Sequence, residues 1–178
     1  MNRRLFLGGF IPAPVWSAAA IRLSRTDGLP EYVDPKKSRA TVLLFLSTIC
    51  PISNAYQERI LALAQYWEGK PVRLVLIDAN DDETAAETQR YAEDVKFPVP
   101  FFKDWRNTVA DRFGATQTPE VVILDAEGTP RYQGGIDDSR NAARVRVEAA
   151  KIAVDDLLAG RAVSVKPIRA FGCAIKKV

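Results

Sequence analysis

The chain has 178 residues, 47% of them hydrophobic, enough to bury one core and too few for two, so a single compact domain follows from length alone. With 26% charged residues, 10 Gly, 11 Pro and 2 Cys it is neither a low-complexity chain nor a disulfide scaffold, and its lack of His removes Cys-His and Ser-His-Asp catalysis and histidine-held metals. The net charge of +3 is small and scattered, which excludes a nucleic-acid footprint.

Asn2-Arg3-Arg4 leads into an uncharged stretch, Leu5 to Ile21, that contains the small run Ser17-Ala18-Ala19-Ala20. A basic head, an apolar middle and small residues at the end predict an export signal over residues 1–20, either of the general secretory kind or, from Arg3-Arg4-Leu5-Phe6-Leu7, of the twin-arginine kind. Gly8, Gly9, Pro12 and Pro14 argue against a permanent span, which needs ~20 apolar residues. The working chain is expected to be periplasmic or secreted, with no stable membrane association after cleavage, where a thiol pair can persist as a disulfide.

Residues 21–38, with Gly28-Leu29-Pro30 and Pro35-Lys36-Lys37, read as a polar lead-in segment. Ala40 to Leu46 is a nearly continuous apolar run, the pattern of a central strand buried on both faces. Cys50 sits just after it. From Pro51 to Trp67 the residues Ile52, Tyr56, Ile60, Leu63 and Trp67 recur at helical spacing, and Pro51 suits a first helical turn. Pro71 to Asp78 is a second buried strand, Glu83 to Val95 a helix, and Phe97 to Phe102 is extended by its prolines. A short helix over Arg106 to Phe113 ends at Gly114. Glu120 to Leu124 and Pro130 to Gln133 form a hairpin across Ala126-Glu127-Gly128, and Asn141 to Leu158 reads as an amphipathic helix ended by Gly160. This order predicts an α/β domain over residues 39–160, a mixed central sheet with helices on both faces, and a tail over residues 161–178 carrying Cys173.

A cysteine at a strand-to-helix junction carries the chemistry. Backbone N–H groups and the helix dipole favour thiolate over thiol, so Cys50 is a candidate nucleophile, provided that it can be reached. Ser53, one turn on, offers a hydroxyl to the sulfur, and Asn54 an amide. A buried, inert cysteine is the plain alternative.

Phe45-Leu46-Ser47-Thr48-Ile49-Cys50-Pro51-Ile52-Ser53, Lys103-Asp104 with Val109-Ala110-Asp111-Arg112-Phe113-Gly114-Ala115, and Thr116-Gln117-Thr118-Pro119-Glu120 before Val121 to Asp125 together resemble the thioredoxin-like superfamily. Within it, the resemblance is to the redoxin group, which includes peroxiredoxin-like and extracytoplasmic thiol-disulfide oxidoreductase domains. It implies a thioredoxin-like fold, no cofactor, and a cis peptide bond before Pro119. It also implies that the Thr118 backbone docks an extended substrate beside Cys50.

The departures from the family matter as much. Ser53 stands where a dithiol thioredoxin has its second cysteine, so Cys50 needs another thiol. Ser47 occupies the hydroxyl position of a peroxiredoxin motif, where it would orient a peroxide, but Leu43 replaces that motif's proline. Cys173, in Gly172-Cys173, is a resolving thiol carried on a mobile tail, one end of a static disulfide, or an independent thiol. The leading expectation is an exported thiol-disulfide oxidoreductase with Cys50, Ser53 and Cys173 as its catalytic set. It would act on protein or small-molecule disulfides and thiols, with an unidentified reducing partner. A peroxide reductase using Cys50, and a two-thiolate module for a soft metal ion, are the alternatives. Glu120 is expected on the surface, Trp67, Trp105 and Tyr56 in packing, and Asp137-Asp138 before the last helix.

Overall fold

The computed structural model describes residues 20–178, and its sheet grows outward from the two runs that are apolar on both faces. Strand β3 (Ala40–Leu46) pairs in parallel with β4 (Val72–Asp78), and every residue of β3 is buried. Because side chains alternate along a strand, Val42, Leu44 and Leu46 enter one core and Leu43 and Phe45 the other. On the first face lie α2 (Gln57–Trp67) and α5 (Ala149–Leu158), which contribute Ile60, Trp67, Ala153 and Val154. On the second, α4 (Thr108–Phe113) contributes Val109 and Phe113.

β1 (Ile21–Ser24), β2 (Pro30–Val33), β5 (Phe101–Lys103), β7 (Glu120–Asp125) and β8 (Pro130–Gly134) complete a seven-stranded sheet of order β2-β1-β5-β4-β3-β7-β8. β5 is parallel to β4, whereas β7 is antiparallel to β3, so the sheet is mixed, as the sequence predicts. Residues 21–33 are no mere lead-in. Ile21, Leu23 and Val33 bury themselves in the second core, and β1 pairs with β5. The predicted signal, residues 1–20, lies outside the described residues except for its last.

Four helices differ from expectation; α4 starts at Thr108 rather than Arg106, because Arg106 and Asn107 take positive φ angles of 62° and 55°. The Pro51 helix is interrupted at Tyr56, giving α1 (Pro51–Ala55) before α2. Helix α3 (Ala85–Val95) starts later than Glu83, because Thr84 and Glu87 form a capping box. The stretch before α5 is a 3-10 turn (Ala142–Arg144) followed by extended chain, since Asp138 Oδ1 accepts the Arg146 and Val147 N–H groups and holds them away from a helix. Gly114, at φ 69°, closes α4 in the left-handed region where glycine is favoured. Among the described residues no helix is long and apolar enough to cross a membrane.

The tail is docked along the body rather than free. Arg161 and Ser164 bond Asp156 in α5, and Gly135 N donates to Ile168 O at 2.8 Å. A short strand, β9 (Cys173–Ala174), pairs antiparallel with β6 (Gln117–Thr118) in a second sheet. Beyond it Lys176 N donates to Asn80 Oδ1, Asp81 N donates to Lys176 O, and Val178 N donates to Asn107 Oδ1.

Candidate active site around Cys50 and Cys173

The end of β3 delivers Cys50 to the N-cap of α1, as its place between an apolar run and Pro51 predicts. The Ser53 backbone N–H donates to the Cys50 sulfur at 3.5 Å, while the thiol can donate to Thr118 O at 3.3 Å. Ser53 therefore acts through its amide. Its hydroxyl oxygen, completely buried, instead accepts the Ser47 N–H at 3.4 Å. Ser47 Oγ accepts the Cys50 N–H at 3.0 Å, so this hydroxyl braces the loop. Asn54 bridges Thr48 O and the Tyr91 hydroxyl rather than the sulfur.

The Thr118–Pro119 peptide is cis. Thr118 is completely buried, and its backbone, the expected docking edge, is already taken: its register partner is Cys173. Ile175 N donates to Thr116 O at 2.9 Å and extends the pairing. Strand β9 thereby brings Cys173 against Cys50, and both remain free thiols.

Gly172 explains how the strands come so close. A Cβ on it would stand 1.9 Å from Thr118 O and 2.5 Å from Thr118 C, so only glycine lets the tail lie there.

Burial pushes the Cys50 thiol up, but hydrogen bonds from the Cys173 thiol, the Ser53 and Cys173 N–H groups and the Thr118 hydroxyl outweigh it and leave the pKa below the ordinary value. The Thr118 hydroxyl, buried here, makes no hydrogen bond of ordinary geometry, so the sulfur is the group left for it to serve. Cys173 moves the opposite way, up to about 11, first because its thiol donates to Cys50, then through burial and repulsion from the Cys50 charge. The Ile52 N–H opposes this shift. The two sulfurs thus shift in opposite directions, Cys50 toward the thiolate and Cys173 toward the thiol.

Cys50 is only 2% exposed, so the proviso that it can be reached is not met while the tail is docked. Of the two cysteines, Cys173 is the half-buried residue.

Several residues important here gave little signal in the sequence. Glu83 is 2% exposed and accepts the Thr48 N–H at 2.6 Å, and burial followed by repulsion from Asp78 pushes its carboxyl up. Lys103 Nζ lies between Asp78 Oδ2 (2.9 Å), Asn80 O (2.8 Å) and Glu83 O (2.7 Å). Glu120 is buried, not superficial, because its carboxylate accepts the Thr116 and Gln117 N–H groups just before β6 is paired. Trp105 is 47% exposed rather than packed, whereas Trp67 and Tyr56 are buried. Tyr56 donates to Asp137, which pairs with Arg59 at 2.7 Å; Asp137 thus ties down α2, while Asp138 caps the extended stretch. No group of three or more metal-binding side chains occurs among the described residues.

No protein-family model matches the chain, and no curated protein matches it. Solved structures do. The chain is similar to a hypothetical protein from Sinorhizobium meliloti (28% identity, TM-score 0.82, covering 91% of this chain and 93% of that one). It is equally similar in shape to an uncharacterized conserved protein from Geobacillus kaustophilus (31% identity, TM-score 0.82, 91% and 90%). A secreted Mycobacterium tuberculosis disulfide oxidoreductase shares the fold more distantly (17% identity, TM-score 0.56, 79% and 95%).

A mixed sheet, a cysteine at a helix N-terminus and a cis-proline beside it define a thioredoxin-like fold. Within that class, the chain belongs to the family of the conserved Geobacillus kaustophilus protein.

Proposed function

We propose that the protein is an exported thiol-disulfide oxidoreductase in which Cys50 and Cys173 are a redox pair, closing to a disulfide and opening to two thiols as electrons pass to or from thiol partners. The observation that carries this reading is the pairing of β9 with β6, which sets Cys173 opposite Thr118, whose carbonyl oxygen lies 3.3 Å from the Cys50 sulfur. A thiolate beside a second thiol is the arrangement disulfide exchange requires. The fold neighbours support the reaction class, and one of them is described as a secreted disulfide oxidoreductase. The basic and apolar N-terminal sequence supports export.

The pair does the work that Cys-x-x-Cys would do in a local dithiol. Closing the bridge joins the two sulfurs and gives up two electrons and two protons to an oxidised partner. Opening it regenerates the Cys50 thiolate, which Ser53 N–H stabilises. Peroxide reduction is less well supported, since Ser47 is engaged by the Cys50 backbone and the sulfur is covered.

Oxidised protein should lose both free thiols and 2 mass units as a monomer, and should regain them with dithiothreitol (two hydrogens per disulfide). Cys50→Ser should abolish turnover of a model disulfide; turnover at the normal rate would sink the assignment. Substoichiometric hydrogen peroxide separates the alternative, because a peroxidase would close the bridge within seconds.

A further inference from the structure

Resting on the redox-pair reading, we propose that Cys173, not the helix-capping Cys50, is the sulfur through which the oxidised protein becomes covalently linked to its thiol partner. Three observations carry this. Cys50 is 2% exposed and enclosed by the Ser53 N–H, the Thr118 backbone and Cys173 itself. Cys173 is partly exposed on the outer strand. The tail that holds Cys173 is fixed on both sides of it, by Ile168 against Gly135 and by Lys176 against Asn80 and Asp81, so it presents the sulfur without having to lift.

Exchange at a disulfide is an in-line displacement at one sulfur with departure of the other. An attack on Cys50 would need an approach from the enclosed side, opposite Cys173. An attack on Cys173 leaves Cys50 as the departing group. The partner's thiolate forms a bond to the Cys173 sulfur, the Cys50–Cys173 bond breaks, and its electron pair remains on Cys50 as thiolate. In the second step another thiolate of the partner attacks the partner sulfur in the mixed disulfide and releases Cys173, which takes a proton from solvent. The protein gains two electrons and the partner, now a disulfide, has lost two. The opposed ionisation of the two thiols agrees with this order, because the better leaving group is the one held as thiolate.

Glutathione serves as the probe. The oxidised full chain is mixed with glutathione, quenched with acid within seconds, alkylated and digested with trypsin. The two cysteines then lie on different peptides, Ala40–Arg59 and Ala170–Lys176. The glutathione adduct is expected on the Cys173 peptide in at least tenfold excess. In Cys50→Ser, which has no internal disulfide and lacks the group that would expel glutathione, glutathione disulfide is used instead: the Cys173 thiolate displaces one glutathione as its thiolate, and the adduct is expected to accumulate on Cys173. An adduct mainly on the Cys50 peptide would overturn the inference and leave the oxidoreductase reading standing. Failure of the oxidised chain to form any Cys50–Cys173 bridge would overturn both.

Discussion

Gly172 lies against the carbonyl of Thr118 so closely that a single added carbon would sit 1.9 Å from its oxygen. That distance, well inside van der Waals contact, makes the residue before Cys173 the fitting point of the whole site. Gly172→Ala should force β9 away from β6, at an overpacking cost of about 1–3 kcal/mol. Alkylation of Cys50 by iodoacetamide should speed up at least tenfold, and closure of the Cys50–Cys173 bridge should slow. Unchanged rates of both would show that the tail does not cover Cys50 in solution.

The two thiols should titrate apart. Absorbance of thiolate against pH should show a lower step belonging to Cys50 and an upper step near 11 belonging to Cys173. Cys173→Ser should leave one step, displaced upward from the lower step of the wild type unless the serine hydroxyl replaces the lost donor; Cys173→Ala removes that possibility. The sign for stability follows. Cys173 is raised above its unfolded value of 9.0, so its contribution is intact below pH 9.0 and is lost as pH climbs through about 11. Denaturant midpoints of the reduced protein should fall in that window, and less steeply in Cys173→Ala.

Asp156 anchors the start of the tail through Arg161 and Ser164, and the Ser164 hydroxyl and N–H, then Arg161, hold its carboxyl down at about 2. A carboxylate depressed in the folded state stabilises above its unfolded pKa of 3.8 and loses that contribution as pH falls through about 2. The acid-unfolding limb of Asp156→Asn should therefore be shallower than the wild type between those values. Coincident limbs would remove Asp156 from the acid response.

Lys103→Met should be severe. It strands the Asp78 carboxylate, completely buried, with Thr88 and Asn80 as its remaining donors, a change that costs about 3–5 kcal/mol. Chemical denaturation measures it. The Asp78→Asn, Lys103→Met double variant should recover part of the loss, because the uncompensated charge is gone.

Cys50 was legible because three local signals agree: an apolar strand, a proline suited to a first helical turn, and helical spacing after it. Pro119 could be placed by its motif. Cys173 was visible as a residue but not as a neighbour of Cys50, since β9 spans two residues and so short a strand has no periodicity to read. The Gly172-Cys173 dipeptide was the available clue. Asn80 and Glu83 sit in the polar run Asn80-Asp81-Asp82-Glu83, where the sequence marks only a helix start at Glu83 and no buried partner. Only the fold turns Asn80 and Glu83 inward, to meet Lys103, Thr48 and Lys176. The Glu120 carboxylate was misplaced for the same reason, because its partners are backbone amides that no side-chain pattern announces.

Residues 80–83 grip the Thr48 loop with one hand and the chain terminus with the other. Two cysteines separated by over a hundred positions would, in a slack polymer, meet rarely, at a loop-closure cost that grows with the logarithm of that separation. Here a four-residue bracket has settled the encounter during folding. Bond making between the sulfurs can then be governed by electrons rather than by diffusion, and loosening the bracket should make the chemistry wait on the chain.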